Sequence, residues 1–269
     1  MDIYEEILKA RRSGTPYSVA TIVKTVGCTP RSAGTKMLVF GDGSCIGTIG
    51  GSQAEVQAVK DCLDAIRSGR PALKTYSPET LGQTDCQKTI EVFIEPGDTL
   101  PHLYLIGAGH VAQSVLPYAK KLGFYNIVID TRDTSEYAEF LSDSDEIIKV
   151  DTFSQLETMD FAPRSFIIIC TYSHATDGEA TLAVMDKNAA YIGMLGAKHK
   201  FLPIFDNLKK HGYSEEVIKG IYAPIGLDIG GETPEEIGMS IMAEILAVKN
   251  GCSAAHLRDK KRAHIFGDS

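Results

Sequence analysis

The stretch LYLIGAGHVA, residues 103–112, decides the fold of the larger part of this chain. The apolar run LYLIG predicts a strand, and the glycine turn after it opens a helix predicted over residues 109–122. In this setting a G-x-G-x-x-A motif permits a tight turn and brings a diphosphate to the helix N-terminus. The residues predicted to surround such a ligand are Gly107, Gly109, His110 and Val111. The stretch predicts a Rossmann fold.

The residues that follow this motif do not decide which ligand it binds. Asp130 ends the next predicted strand, where a carboxylate can accept a hydrogen bond from a ribose hydroxyl. Arg132 is placed to meet a 2′-phosphate instead. The pattern is compatible with NAD(P), with another phosphorylated ligand, and with a fold that binds no nucleotide.

Strands and helices alternate through the rest of the chain. Further strands are predicted over residues 126–130, 146–150, 166–170 and 190–194. A last helix, residues 234–249, begins with a capping box at Thr233 and Glu236. This order is typical of a doubly wound parallel sheet, so we predict a Rossmann-like domain over residues 99–250 and a C-terminal tail over residues 251–269.

The residues before this domain follow a different pattern. Helices are predicted over residues 2–12 and 53–68, and strands over residues 17–26, 36–40, 45–49 and 89–94. A Pro-Gly-Asp boundary at residues 96–98 then ends a small α+β domain, residues 1–98. The predicted fold class is α/β, with this α+β domain followed by the Rossmann-like domain.

Composition excludes several classes of protein. The 269 residues carry a formal net charge of −8, which disfavours binding to nucleic acid. Apolar residues make up 43%, typical of a folded chain, and no apolar run is long enough to span a membrane. The acidic N-terminus lacks the apolar core of a signal peptide, so we expect a cytoplasmic protein.

Polar residues after two predicted strands are further site candidates. His174 and Asp177 follow the fourth strand of the Rossmann-like domain, where His174 is a candidate acid–base or a polar loop residue. Asp177 is a candidate site residue or a helix cap. Lys198 and Lys200 follow the fifth strand and suit a phosphate, or belong to a solvated loop.

The α+β domain has two glycine-rich loops. Gly50, Gly51, Ser52 and Glu55 join a strand to a helix, as in an anion cradle, and a loop with Arg31 precedes them. Either loop is alternatively a tight turn.

The six cysteines form neither a disulfide framework nor a zinc-binding pattern. Cys62 and Cys170 lie in apolar segments and are predicted to be buried. Cys86 stands in a polar stretch near Lys88, which favours a reactive thiol, although a loop cysteine is often incidental.

Eight stretches together resemble the XdhC/CoxI family, accessory proteins of molybdenum hydroxylases such as xanthine dehydrogenase. They are GCTPRSAGTKMLV, GTIGGSQAE, TDCQKTIEVFIEP, LIGAGHVA, VIDTR, TYSHATD, MLGAKHK and APIGLDIGGETPEEIGMSIMAEI. The resemblance implies a two-domain, homodimeric chaperone that binds the molybdenum cofactor, as molybdopterin or its dinucleotide. Such a protein protects the cofactor during sulfuration, for which a cysteine desulfurase is a candidate partner, and helps to insert it into a hydroxylase client.

The resemblance also implies a role for Cys86 as a thiol near the molybdenum. The sequence departs from the family pattern there, because Gln87 and Lys88 stand where two glycines are common. Ser52 replaces a third glycine, and in the basic stretch over residues 196–200 lysine and histidine stand where arginine is usual. Two alternatives stay open: an NAD(P)-dependent oxidoreductase with His174 or Lys198 as acid–base, and a scaffold that binds no small molecule.

Overall fold

The structure, a computed structural model, describes residues 2–27, 29–77, 89–135 and 138–259, without the side chains of Ser52 and Lys198. The chain divides into two compact units, Met1–Leu100 and Pro101–Ser269. Within the described residues, every helix is too short or too polar to cross a membrane.

The N-terminal unit is built on a five-stranded antiparallel sheet. Its strands are β1 (Tyr17–Val26), β2 (Lys36–Phe40), β3 (Cys45–Gly47), β4 (Ala72–Tyr76) and β5 (Thr89–Pro96). They lie in the order β3-β2-β1-β5-β4, with the longest strand, β1, at the centre.

One helix covers each face of this sheet. Leu38 of β2 packs in one cluster with α1 (Ile3–Ser13), whereas its neighbour Val39 packs with Cys62 of α2 (Ser52–Ser68). Alternate residues of a strand point to opposite faces, so both faces of β2 are buried.

The C-terminal unit contains a five-stranded parallel sheet. Its strands are β6 (His102–Ile106), β7 (Tyr125–Asp130), β8 (Glu146–Lys149), β9 (Ser165–Ile169) and β10 (Ala189–Met194). The order is β8-β7-β6-β9-β10, and a single parallel bridge from Gly193 to Tyr222 extends it beyond β10. The strand order reverses between β6 and β9, and sheets of this kind bind ligands outside the carboxyl ends at such a reversal.

Helices cover both faces of the parallel sheet. They are α3 (His110–Lys121), α4 (His174–Val184), α5 (Lys198–Lys210), α6 (Glu215–Lys219) and α7 (Pro234–Lys249), with a short 3₁₀ helix at Phe153–Glu157. Helices α3 and α7 pack on one face, and α4 and α5 on the other. All five residues of β6 and of β9 are buried, which accounts for their unbroken apolar runs.

The predicted fold class is confirmed, with an antiparallel sheet in the N-terminal unit and a doubly wound parallel sheet in the C-terminal unit. The predicted capping box is also present, since Thr233 accepts a hydrogen bond from the Glu236 N–H. Burial of Cys62 and Cys170 is confirmed. The sequence prediction missed strand β4 and helices α4, α5 and α6.

Candidate functional site

The glycine loop after β6 passes through a space that only glycine can occupy. Gly107 has a φ of +110°, and a Cβ there would come within 2.4 Å of the Cys170 carbonyl oxygen. Its N–H donates to the Ile129 carbonyl at 2.8 Å. The loop is thereby fixed between the carboxyl ends of β7 and β9.

Helix α3 begins directly after this loop without a side-chain cap from any described residue. Gly109 is the N-cap residue, with an ordinary φ of −72°, and a Cβ there would have no described heavy atom within 4 Å. His110, the first helical residue, is exposed, and Val111 is half-buried. An open helix N-terminus with unpaired N–H groups is suited to binding an anion.

Asp130 is buried behind the glycine loop and holds it in place. Oδ2 accepts hydrogen bonds from the Ala108 N–H and from Arg132 Nη2, both at 2.7 Å. Oδ1 accepts from the Arg132 N–H at 2.9 Å and from its Nε at 3.0 Å. The residue is 1% exposed, so the predicted ribose contact would require some of these four hydrogen bonds to be replaced.

Burial alone would raise the pKa of Asp130. The hydrogen bonds from Arg132 and Ala108 outweigh burial, and the pKa is lowered from its ordinary value. Asp130 is therefore ionised in the folded protein at neutral pH.

The Arg132 guanidinium also faces an aromatic ring. Its Cζ lies 5.1 Å from the centroid of Tyr172, which stands just beyond the end of β9. This cation–π contact connects the chain after β7 to the chain after β9. Tyr172 was not among the predicted site residues.

Asp177 closes the turn between β9 and α4. Its Oδ1 accepts from the N–H of Thr171 at 3.1 Å and from its Oγ1 at 2.6 Å. The helix-cap alternative for Asp177 is wrong, because Ser173 is the N-cap residue and accepts from the Thr176 N–H. His174 is the first residue of the helix and is exposed.

The carboxylate of Asp177 lies among charged side chains. Burial raises its pKa above the ordinary value, although hydrogen bonds from Thr171 and the charges of His174 and Lys200 act in the opposite direction. Lys200 therefore lies close enough to Asp177 to influence its ionisation.

Helix α5 starts at the same edge of the sheet, after β10. Lys198, His199 and Lys200 form its first turn, so the solvated-loop alternative for this segment is wrong. Ala197 is the N-cap residue, and no side chain in the described part of the protein caps the helix. Cations at a helix N-terminus add to the positive end of the helix dipole, which strengthens attraction for an anion.

In the N-terminal unit, the glycine loop before α2 surrounds a carboxylate of the protein itself. Glu55 Oε2 accepts from Thr48 Oγ1 at 2.5 Å and from the N–H groups of Ile49 and Gly51, both at 3.0 Å. Burial would raise the pKa of Glu55, but these hydrogen bonds outweigh it and the pKa is lowered. An external anion would have to displace Glu55 from these donors.

The two glycine-rich loops of this unit lie against each other. A Cβ on Gly50 would come within 2.7 Å of Pro30 Cγ and 3.7 Å of Arg31 Cγ. Arg31 is exposed, and its carbonyl accepts from Thr29 Oγ1 at 2.8 Å. The structure thus brings Arg31 beside the loop of Gly50 and Gly51.

The cysteines within the described residues do not form a metal site. Burial raises the pKa of Cys170 to about 12 and that of Cys62 to about 11, so both are thiols at neutral pH. The described part of the chain has no cluster of three or more His, Cys, Asp or Glu side chains that could hold a metal ion. Cys86 lies outside the described residues.

Each of the two units contains residues that match a known protein-family model. Residues 103–245, more than half of the chain, match the model of the XdhC Rossmann domain, and residues 10–77 match that of the XdhC and CoxI family. The chain belongs to the XdhC and CoxI family.

Two curated relatives match over much of this family member. The Escherichia coli (strain K12) protein YqeB is 35% identical over 256 residues, which cover 93% of this chain and 47% of YqeB. A Bacillus subtilis (strain 168) protein, named as a probable xanthine dehydrogenase subunit, is 29% identical over 170 residues, 63% of this chain and 49% of that protein. The chain spans about half the length of these relatives.

A solved structure shows the same fold. The crystal structure described as a xanthine dehydrogenase from Bacillus halodurans has a TM-score of 0.51 and 20% identity, and the match covers 96% of this chain and 99% of that one.

The stretch that resembles the XdhC and CoxI family most specifically, APIGLDIGGETPEEIGMSIMAEI, is anchored by one carboxylate. Glu244 Oε1 accepts from Tyr191 Oη at 2.5 Å and from the Gly226 N–H at 2.9 Å. The Tyr191 ring stacks on Tyr222 with centroids 4.5 Å apart. Burial, followed by the bond to Glu244, raises the pKa of Tyr191. This network fixes the chain between β10 and α7.

Sequence reasoning overlooked Thr171 and Tyr172 in this family member. Both lie directly after a predicted buried strand, which is where parallel sheets place ligand-binding residues. Their position at the carboxyl end of the strand is the sequence signal that could have identified them.

Proposed function

We propose that this protein is an accessory protein of a xanthine dehydrogenase-type molybdenum hydroxylase, and that its C-terminal unit, called the Rossmann unit below, binds the molybdenum cofactor. Membership of the XdhC and CoxI family supports the accessory role. The Bacillus subtilis relative supports it further, since its name assigns that protein to a xanthine dehydrogenase.

One observation supports the ligand class. Among the described α-helices, α3 and α5 have neither a side-chain cap nor an acidic residue in the first turn. The other α-helices each have at least one acidic residue there. Both exceptions begin at the carboxyl edge of the parallel sheet, where the open positive ends suit the phosphate or diphosphate of a pterin cofactor.

The residues at this edge fit the phosphorylated end of the cofactor. A Cβ on Gly109 would meet no described heavy atom within 4 Å at the start of α3, and Lys200 in the first turn of α5 adds a positive charge. When bound, the cofactor supplies the molybdenum chemistry, which belongs to the client enzyme. The residues of this chain would bind the phosphate and orient the cofactor.

The sulfur-handling part of the role rests on Cys86. By family resemblance, we propose that the Cys86 thiol serves as a soft ligand of the molybdenum or a guard of its terminal sulfur. A cysteine desulfurase partner, a homodimer and a cytoplasmic location belong to the same proposal.

An NAD(P)-dependent oxidoreductase is the second candidate, favoured by the glycine loop. The four hydrogen bonds to Asp130 disfavour it, because they occupy the carboxylate that would bind the ribose. Titration with NADH, NADPH and ADP tests this candidate. Binding of NADH or NADPH much tighter than that of ADP would favour it over the chaperone, because the difference reports recognition of the nicotinamide half.

Reconstitution tests the accessory role directly. An apo-form xanthine dehydrogenase-type hydroxylase is mixed with molybdenum cofactor released from a donor protein, with and without this chain. We expect the chain to increase the yield of active hydroxylase, Lys200→Glu to reduce that increase, and Lys60→Glu on α2 to leave it unchanged. Equal yields with and without the wild-type chain would contradict the proposal.

A further inference from the structure

Tyr172 is an exposed aromatic residue at the carboxyl edge of the parallel sheet. It follows β9 by three residues, and 56% of its surface is exposed. An exposed ring at the edge where such sheets bind ligands has the apolar area and the flat face that stacking requires.

The ring is supported from one side by a fixed guanidinium. Arg132 Cζ lies 5.1 Å from the Tyr172 centroid. The guanidinium is held through its Nε and Nη2, which donate to Oδ1 and Oδ2 of Asp130 at 3.0 and 2.7 Å. Two parallel hydrogen bonds fix the plane of the guanidinium as well as its position. Tyr172 is therefore supported by Arg132, and more than half of its surface stays open to solvent.

The same residues connect this ring to the glycine loop. Oδ2 of Asp130 accepts from both Arg132 and the Ala108 N–H. The Cα of Thr171, next to Tyr172, lies 2.9 Å from the position of a Cβ on Gly107. The loop expected to hold the phosphate and the aromatic ring thus belong to one framework.

We propose that Tyr172, supported by Arg132, is a stacking surface for the fused heteroaromatic ring of a phosphorylated ligand, either a pterin or a purine. The inference rests on the proposed phosphate site and adds the residue that recognises the ring. Every such ring presents a π-face, so a tyrosine binds the class without reading its hydrogen-bonding edge. The cation–π contact with Arg132 holds the tyrosine ring in place.

Three diphosphate probes distinguish the contribution of the ring to binding from that of the phosphate. They are inorganic pyrophosphate, ADP, and 6-hydroxymethylpterin diphosphate, each titrated calorimetrically into the full chain. Wild type is compared with Tyr172→Leu, which keeps apolar bulk and removes the π-system, and with Tyr172→Phe, which keeps the π-face. Thermal unfolding of each variant verifies the fold.

We expect Tyr172→Leu to weaken the binding of the two ring-bearing probes about tenfold and to leave the affinity for pyrophosphate unchanged. Tyr172→Phe should bind all three as wild type does. A purine ligand is indicated if only ADP shows the loss, and a pterin if only the pterin diphosphate shows it.

Two results would overturn the inference, and they differ. If the ring-bearing probes bind Tyr172→Leu as tightly as wild type, stacking is wrong while the phosphate site stands. If none of the probes binds wild type at millimolar concentration, the proposed phosphate site is wrong. The stacking inference, which rests on that site, is then wrong as well.

Discussion

The Ala108 N–H donates to Oδ2 of Asp130 at 2.7 Å, so a carboxylate at the end of β7 fixes the glycine loop at the end of β6. That oxygen also accepts from Arg132, which faces Tyr172. One buried side chain therefore positions the loop and the aromatic surface together. We expect Asp130 to act on ligand binding through these neighbours.

Asp130→Asn tests how strongly this carboxylate stabilises the glycine loop. We expect the free energy of unfolding of the Rossmann unit to fall by about 1–3 kcal/mol at pH 7, because a buried acceptor of charged hydrogen bonds becomes a poorer partner for its donors. The pKa of Asp130 is lowered in the folded state, so its stabilisation is present above the ordinary aspartate pKa and is lost as pH falls through the folded value. Urea unfolding at pH 7 and in acid measures both effects. Equal loss in the control Asp228→Asn would contradict the assignment.

Gly107→Ala tests the passage of the loop between strands. We expect it to destabilise the Rossmann unit by about 3 kcal/mol or more, since left-handed strain adds to a clash with the Cys170 carbonyl. Gly123→Ala is the matched control, because Gly123 has a φ of +77° and a Cβ there would meet no described atom within 4 Å. It should cost about 1–2 kcal/mol. Denaturation midpoints of the two variants measure this difference. Equal loss of stability in Gly107→Ala and Gly123→Ala would show that the clash with the Cys170 carbonyl does not matter.

Asp177→Asn is expected to stabilise the protein at neutral pH. Burial raises the pKa of Asp177, so the folded state holds its proton more tightly, and stability is lost as pH rises through the folded value. The neutral variant avoids this loss and still offers an oxygen to Thr171. Thermal unfolding across pH should show the gain at pH 7 shrinking below the ordinary aspartate pKa. A variant less stable than wild type at pH 7 would contradict this reasoning.

Glu55→Gln tests the loop of the N-terminal unit. We expect a loss of about 1–2 kcal/mol at pH 7, because Glu55 accepts from Thr48 and two backbone N–H groups. Because the pKa of Glu55 is lowered in the folded state, this stabilisation is present at pH values above the ordinary glutamate pKa. It is lost as the pH falls through the folded value. Glu95→Gln, an exposed strand residue, is the control in chemical denaturation. No difference between the two variants would show that Glu55 does not hold the loop.

The parts of the fold that bury an apolar face were predictable from the sequence. Strand β6 is an apolar run before glycines, and α7 is a long apolar helix after a capping box. Strand β4 was missed because it is an edge strand in which only Tyr76 is buried. Helix α4 was missed because Gly178, two threonines and three alanines give it little amphipathic pattern.

The candidate site was predictable in outline and not in its contacts. Spacing placed Gly107, Asp130 and Asp177 at one edge of a parallel sheet. It did not reveal that Asp130 is hydrogen-bonded through both oxygens or that Glu55 fills its own loop, because both depend on side-chain directions in the folded chain.

Gly109 allows the central claim to be tested apart from folding. Asp at this N-cap position would accept from the helix N–H groups and add a few tenths of a kcal/mol of stability, while its charge excludes a phosphate. Gly109→Ala keeps the site neutral and fits the open space.

The most direct measurement is the pterin content of the protein purified from cells that make molybdenum cofactor. Each protein is denatured and oxidised, and the fluorescent pterin is counted per chain. We predict near-stoichiometric pterin in wild type and Gly109→Ala, and at least about tenfold less in a folded Gly109→Asp protein. Equal pterin in all three proteins, or none in wild type, would contradict the claim that this edge of the sheet binds the cofactor.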